Sequence, residues 1–553
     1  LTGNNISLLL FVVFAAFGLS SQTPLTQPVP VRIADATCAR CHEAIYRSYL
    51  ATPMANASGM AVDNLIPGSF LHISSQVNYE VSAETGKAVL SWREIREPRL
   101  SVQWPLDYFL GSGHLGITYL YTINHYLLES PVAWYTDLHH YDMKPGLGKI
   151  TQTPPPLLAE TGCLRCHMSA VQKSDPGTLN RYSGLAFLQG GTTCETCHGD
   201  SAEHVRTGGK ASVVNPARLD ADRRDSICIS CHLEGDVSVE RAGQSALDFR
   251  PGDSISRFLT YYVAAGKDVT TRGVSEVEQL SGSMCKRASG DRMSCTTCHD
   301  PHSTPPAQSR VTFFRNKCLA CHNSEQFAAS HHPENPDCTS CHMPKSSAQN
   351  IPHVAWTDHR ILRRPDLAAT ETSKSTSENL TPIFSPDANS RDLAMAYYKL
   401  LMDGNRAAEP KAWALLNQSR DQLADDKEAL DALGILTLER GRQADEHSSQ
   451  EDATHIFQRV LALDPKDFTA ASDLAILLAK QGNLKEAEAL LRPVFQRNQD
   501  IPGLALNLAH VQCALGDADA ARATLETVLL YGPAVQEARR MLQQIAGCSA
   551  KKP

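Results

Sequence analysis

Seven times between residues 38 and 342 the chain repeats the pattern Cys-x-x-Cys-His. The copies are Cys38-Ala-Arg-Cys41-His42, Cys163-Leu-Arg-Cys166-His167, Cys194-Glu-Thr-Cys197-His198 and Cys228-Ile-Ser-Cys231-His232. Three more follow at Cys295-Thr-Thr-Cys298-His299, Cys318-Leu-Ala-Cys321-His322 and Cys338-Thr-Ser-Cys341-His342. Two thiols at this spacing with a histidine directly after them form the attachment site of c-type haem. The sulfurs become thioethers on the porphyrin edge, and the histidine is aimed at the iron from one face. Zinc ribbons also use Cys-x-x-Cys, usually two pairs per metal, but need no histidine after the second cysteine. Histidine is 21 of 553 residues, so seven such placements by chance have odds on the order of one in ten billion, which favours haem attachment. A thioredoxin-like redox site would be a single pair on a βαβ unit. The reading is a chain with seven c-type haems and their irons.

So many porphyrins restrict the fold. A body of about 330 residues has a radius of gyration near 20 Å, so seven haems within it lie almost in contact and replace much of an ordinary apolar core. The expected class is mostly α with an irregular haem-packed core, carrying a β-rich insertion and followed by an α-solenoid. The boundaries read as follows: 1–21 signal peptide, 22–37 linker, 38–366 heptahaem domain, 367–386 a second linker rich in Ser and Thr, and 387–547 helical repeats. Within the haem domain, residues of about 60–160 carry no motif. Asn78–Trp92 reads as two strands across a Glu84-Thr85-Gly86 turn, and Ile117–Tyr135 as a hairpin turning at Ile123-Asn124.

Residues 6–19 form an apolar run closed by Ser20, Ser21 and Gln22, as in a secretory signal peptide. At about 14 residues the run is short for a span of ~20. Haem attachment to thiols also takes place outside the cytoplasm, so the expected location is periplasmic, extracellular or at the cell surface. Fourteen of the 17 cysteines belong to motifs; Cys285, Cys513 and Cys548 are too scattered to read as a disulfide framework. The formal charge of −8 argues against a nucleic-acid partner.

From about residue 387 the composition turns to Ala, Leu, Glu and Gln with a helical period. Leu474-Ala475, Gly482, Ala487, Leu491 and Val494 recur as Leu508-Ala509, Gly516, Ala521, Leu525 and Val528, a shift of 34 throughout. That is the tetratricopeptide period. An earlier copy runs Leu433-Gly434, Gly441, Ala453, Phe457 and Val460, with seven extra residues between its helices, and a more degenerate pair at 389–423 caps the array. Stacked repeats expose a surface suited to protein or peptide docking.

Each iron needs a sixth ligand or leaves that place open. Between His42 and residue 370 eleven histidines lie outside the motifs: His72, His114, His125, His139, His140, His204, His302, His331, His332, His353 and His359. His302, three residues after His299, is too close to reach around its own porphyrin and is expected to serve a neighbouring haem. His204, His332, His353, His359 and His72 are the next distal candidates.

Cys38 to Ala55, Cys194-Glu-Thr-Cys-His-Gly with His204 following, Cys295-Thr-Thr-Cys-His-Asp-Pro-His302 and Cys338-Thr-Ser-Cys-His-Met-Pro344 resemble the multihaem cytochrome superfamily of the hydroxylamine-oxidising chain, which includes the tetrahaem carrier of ammonia oxidisers. With the C-terminal tetratricopeptide repeats, the chain looks like a group of exported cytochromes of environmental bacteria. The resemblance implies closely packed haems, parallel and perpendicular, with mostly bis-histidine ligation. Related chains often place a histidine after the first motif in Ser/Thr-Pro-His; here the sequence is Thr52-Pro53-Met54, which makes Met54 a further distal candidate. Three functions follow: an electron carrier docking redox proteins through its repeats, an oxidoreductase acting on a small nitrogen or sulfur compound at one five-coordinate haem, or a self-associating filament subunit. The supply of histidines favours the carrier, and no catalytic residue is singled out.

Overall fold

Alternating apolar and polar residues between 58 and 158 become ten strands in the computed structural model, which describes residues 33–264, 272–324, 327, 331, 335–348, 350–363, 379–384, 389–441 and 446–548. The expected signal peptide (1–21) and the linker up to residue 32 lie outside them, as does His332. The strands are β1 Ser58–Met60, β2 Gly68–His72, β3 Val77–Glu84, β4 Lys87–Glu94, β5 Ser101–Leu106, β6 Tyr108–Leu110, β7 Gly116–Ile123, β8 Tyr126–Tyr135, β9 His140–Met143 and β10 Leu157–Leu158. One sheet is the antiparallel meander β2-β3-β4-β5; the other runs β1-β6-β7-β8-β10, with β9 also on β8.

The β3–β4 hairpin turns at Thr85-Gly86, both at positive φ, the conformation that a two-residue turn between twisted strands demands. The β7–β8 turn sits at Asn124-His125, also both at positive φ, one residue later than the sequence reading. Val77, Tyr79 and Val81 of β3 pack with Ile117, Tyr121, Leu128 and Val132 in the core between the sheets. β8 is buried on both sides. Its Leu127 faces Leu164 and Met168 beside the second motif, and Ala133 and Tyr135 face Val354. The sandwich is thus one wall of the haem-motif region.

From residue 161 the helices are short, and the motifs are turns of helix rather than loops. Thr161–His167, Cys194–His198, Ala221–His232 and Cys338–His342 end on the motif histidine. The amides of His299 and His322 donate to the carbonyls of Cys295 and Cys318 at 2.9 and 3.0 Å. Residues three apart on a helical turn share a face, so each motif presents both sulfurs on one side. The first motif lies inside a longer helix, Ile33–Leu50, kinked at His42. That helix starts within the expected 22–37 linker, because Asp35 is buried and its Oδ1 accepts from the Cys194 amide at 2.9 Å.

The repeats follow the period. Lys427–Gly441 with Glu446–Leu463, Phe468–Lys480 with Leu484–Arg497, and Pro502–Leu515 with Ala518–Tyr531 are three helical pairs; Ser390–Met402 with Glu409–Gln418 precede them and Gln536–Gln544 follows. Leu474, Ala475, Ala487, Leu491, Val494 and their equivalents 34 residues on are all buried. Gly482 and Gly516 both take positive φ at the helix ends, where only glycine is unstrained. The extra residues of the first copy lengthen its second helix to 18 residues against 14 in the later two. A Cβ on Gly434 would stand 2.6 Å from the Phe457 ring, so the small residue sets the approach of that pair.

Two sequence readings are corrected here. Part of the 367–386 linker is a strand, Leu380–Pro382, paired with Leu259–Ala264, which in turn pairs with Val237–Glu240. Leu380 buries with Val237, Val239 and Tyr262 in the core that also holds Ala394, Met395 and Tyr397 of the first capping helix. Apolar pairing on a sheet edge outweighs the loop-like composition. The repeats also dock on the haem domain at their inter-repeat turns. Lys466 lies on Gly177, the Asn498 amide donates to the Gly177 carbonyl at 2.9 Å, the Tyr126 hydroxyl donates to the Arg497 carbonyl at 2.7 Å, and Gly532 lies on Pro156. The helical period therefore doubles as a row of contacts along one edge. Cys513 and Cys548, too scattered in sequence to read as part of a disulfide framework, form a disulfide that ties the last helices together. No helix of the described residues is long and apolar enough to cross a membrane.

Candidate haem-binding cavity

Thiols and imidazoles of the motifs converge on one cavity of about 2830 Å³. Its lining takes at least one cysteine or histidine from each of the first six motifs, and Thr339, Ser340 and Met343 from the seventh. A pocket for one ligand of drug size spans ~300–1,000 Å³, so this space suits several large cofactors in series.

Motifs far apart in sequence touch through their cysteines. The sulfurs of Cys38 and Cys194, Cys166 and Cys231, Cys228 and Cys295, and Cys318 and Cys338 stand beside one another. Cys197 lies beside Cys231, and Cys298 beside Cys321. Attachment points therefore run first–third–fourth–fifth–sixth–seventh, with the second motif joined to the fourth. Arg165 is wedged at that junction, donating to the Ser230 carbonyl. Burial pushes the Cys197 thiol up to about 12, and burial together with Cys338 pushes Cys318 up to about 11. These sulfurs are uncharged and line an apolar space.

Histidines meet in pairs. His42 and His204 have ring centres 6.3 Å apart, His198 and His302 6.0 Å, His299 and His359 6.3 Å, and His331 and His342 5.8 Å. A metal–imidazole bond is about 2.0 Å and the ligating nitrogen lies about 1.1 Å from its ring centre, so two imidazoles on one metal have centres about 6.2 Å apart. Aromatic packing alone also covers ~4.5–7 Å; the nitrogens separate the two cases. In each pair one member has Nδ1 on a backbone carbonyl: His204 on Ala211 at 2.7 Å, His198 on Val214 at 2.8 Å, His359 on Thr357 at 2.9 Å and His342 on Leu362 at 2.5 Å. That bond fixes the tautomer and leaves Nε2 for a metal. Burial lowers the His299 and His302 imidazoles, keeping them in the neutral form that ligates. The donor set fits haem.

Three expected distal residues, His204, His302 and His359, thus stand opposite motif histidines. His331, one of the eleven spare histidines, stands opposite His342, while His332 lies outside the described residues. His72 is corrected: it is buried in β2, with Nδ1 bonded to Ser75 Oγ at 2.7 Å. His353 is corrected too, since its Nε2 meets Asp142 Oδ2 at 2.8 Å and its ring packs edge-on to Tyr135. Met54 lines the cavity after the first helix, with its carbonyl held by the Thr192 amide at 2.9 Å. Among the described residues no second histidine ring is paired with His167, His232 or His322; the His322 ring faces Phe327 instead, at 5.0 Å. Near the second motif the cavity is lined by Lys144 and Glu129, a buried ion pair whose ammonium is pushed down by burial. Sequence reasoning passed over Lys144 and Glu129, which carry no motif, and Arg165, one of the two variable places of the second motif. No group of three or more His, Cys, Asp or Glu side chains among the described residues converges to hold a metal ion alone, unlike the four-ligand closure of a zinc ribbon.

The family described as cytochrome c554 and c-prime has a model that matches residues 142–199, which hold the second and third motifs. This likeness points to a c-type cytochrome and implies a haem cofactor. A tetratricopeptide repeat model matches residues 451–502. No curated protein matches the chain. Among solved structures, a thermophilic tetratricopeptide protein of Thermus thermophilus is 18% identical over 28% of this chain and 79% of its own, at a TM-score of 0.24. MamA of AMB-1 is 22% identical over 29% and 87%, at 0.25. The TPR2AB domain of yeast Sti1, from a complex with pHSP90, is 16% identical over 29% and 70%, at 0.18.

Proposed function

We propose that the chain is an exported heptahaem c-type cytochrome that carries electrons between redox proteins, akin to the superfamily of the hydroxylamine-oxidising chain. The observation that carries this reading is the set of four histidine pairs at bis-imidazole spacing, three of which line one cavity rich in motif thiols and the fourth of which, His331–His342, belongs to the seventh motif beside it. A haem bound there supplies one-electron chemistry at its iron. The chain's residues do the rest. His42 with His204, His198 with His302, His299 with His359, and His342 with His331 are the imidazoles that would hold the irons. The carbonyls of Ala211, Val214, Thr357 and Leu362 orient the rings, and the β-sandwich excludes water from one side. The Cys513–Cys548 disulfide fits a compartment that is oxidising, which supports export to the periplasm or cell surface.

The repeats have a second task besides partner docking. Their turns hold the haem domain in register, so only the surface away from that edge is free to bind a protein or peptide.

A second reading has a specific observation behind it. His167 has no histidine opposite it among the described residues, while the Lys144–Glu129 pair lines the cavity beside its motif. A site with an exchangeable position and a proton donor nearby suits an oxidoreductase acting on a small nitrogen or sulfur compound. Carbon monoxide binding to the dithionite-reduced protein tests the two: little binding supports the pure carrier, and one equivalent lost or altered in Lys144→Ala supports the oxidoreductase.

A further inference from the structure

An acidic protein has a basic end. Between residues 284 and 364 ten lysines and arginines face six aspartates and glutamates, in a chain whose formal charge is −8. The short helix Met284–Ser289 and the helix Arg310–Leu319 carry half of these cations over the fifth to seventh motifs. Cys285 lies close enough to Cys298 and Cys321 to place the first helix against both motifs. Arg315 reaches the Pro336 carbonyl at 3.3 Å, just before Cys338.

Among the described residues the outer cations are not neutralised by a carboxylate. Among the described residues none of Arg287, Arg292, Arg310, Arg315 or Lys317 forms an ion pair; Arg287 meets only the Met284 sulfur, Arg292 the Ser289 carbonyl, and Lys317 the Phe313 ring. Three of the acids nearby are committed elsewhere. Asp300 accepts from the His302 amide and the Ser303 hydroxyl, Asp337 caps the helix of the seventh motif, and Asp358 pairs with Arg360. Lys286, Arg310 and Lys317 also line the cavity, where they can meet haem propionates; Arg287, Arg292 and Arg315 are outside that lining. Apolar surface lies among them, with Met284 61% and Val311 36% exposed. A polar, charged rim around an apolar centre is the anatomy of a transient protein interface.

We propose that this face, with Arg287, Arg292 and Arg315 at its rim, is the docking site for an acidic redox protein. It rests on the carrier reading, because it puts the partner over the motifs at one end of the chain of attachment points. Charge complementarity selects the partner: cations unpaired in an otherwise acidic chain attract an acidic surface and repel a second basic one.

The test uses the haem-loaded full-length protein and oxidised flavodoxin, a strongly acidic one-electron protein, immobilised for interferometry. Binding is expected at about 10 mM salt and to weaken at least tenfold by about 150 mM, as the screening length falls from about 30 Å to about 8 Å. Arg287→Glu/Arg292→Glu/Arg315→Glu is expected to weaken it by at least about tenfold, with the haem spectrum and the redox titration against a neutral mediator unchanged. Equal binding by wild type and the triple variant overturns the proposal, as does binding that strengthens with salt. A salt-sensitive self-association that the triple substitution abolishes, without flavodoxin binding, assigns the face to a second copy and also overturns it. Failure of the carrier reading is seen separately, as a protein without covalent haem or without reversible titration.

Discussion

Replacing Asp500 by asparagine is predicted to stabilise the protein, and increasingly so as the pH rises. Asp500 sits between the helices Leu484–Arg497 and Pro502–Leu515 and is fully buried. Tyr121 and Tyr126 of the β-sandwich, Asn180 and Arg181 of the following loop, and Tyr531 of the repeats surround it. Burial pushes its carboxyl from the ordinary 3.8 up to about 7. At about 1.4 kcal/mol for each tenfold change in proton affinity, that rise amounts to about 4 kcal/mol. Its direction follows from proton counts. Between about pH 4 and about pH 7 the native carboxyl keeps its proton while the unfolded one has lost it, so the native state binds more protons. Stability therefore falls as the pH rises through this window and levels off above about 7. An amide cannot ionise and keeps nearly the same shape. Urea unfolding of the haem-loaded protein, followed by far-ultraviolet circular dichroism from pH 4 to 8, is expected to give similar midpoints near pH 4. At pH 8, Asp500→Asn should be the more stable by about 2–4 kcal/mol, the lower figure allowing for relaxation around the charge. Parallel profiles for both proteins, or a variant less stable at pH 8, would refute the assignment of a neutral carboxyl to this junction.

Three further outcomes follow from other sites. Cys513→Ser with Cys548→Ser opens a loop with a sequence separation of 35, and should cost about 3–4 kcal/mol by chain entropy, read as a lower urea midpoint that reductant no longer shifts in the variant. Gly434→Ala drives a methyl into the Phe457 ring and is expected to cost about 1–3 kcal/mol, with Gly434→Ala/Phe457→Leu recovering part of it in the same assay. His302→Ala should convert one low-spin iron per chain to high spin by electron paramagnetic resonance, whereas His72→Ala, at a residue bonded to Ser75, should leave every haem signal in place.

What the sequence made legible was local. Cys-x-x-Cys-His is a helical turn whose chemistry needs no distant residue, and the 34-residue period writes the buried faces of Leu491 and Leu525 directly. The hairpin at Thr85-Gly86 was equally plain, because its turn residues carry their own φ requirement. Pairings across the fold were less so. His302 could be foreseen because three residues cannot span a porphyrin, but the meeting of His331 with His342 turns on side-chain direction, which sequence position does not reveal. His353 satisfied every local criterion and was taken by Asp142, more than two hundred residues away in sequence. Leu380–Pro382 sits among Ser and Thr and becomes a strand only because Tyr262 and Val263 offer an edge. Asp35 and the Lys144–Glu129 pair belong to no pattern, and Arg165 fills a place the motif leaves variable; they act by joining elements that only the fold brings together. Cys513 and Cys548 meet for the same reason, through the packing of the last helices.

The central claim is that seven covalent haems share the cavity and that at least four of their irons lie between two histidines. Near-infrared magnetic circular dichroism with quantitative electron paramagnetic resonance on the oxidised full-length protein, against a pyridine haemochrome count, tests it most directly. Seven haems per chain with four or more low-spin bis-histidine irons, one of them lost in each of His204→Ala, His302→Ala, His331→Ala and His359→Ala, is the predicted result. Fewer than four such irons, or a count of low-spin irons that none of these substitutions changes, would contradict it.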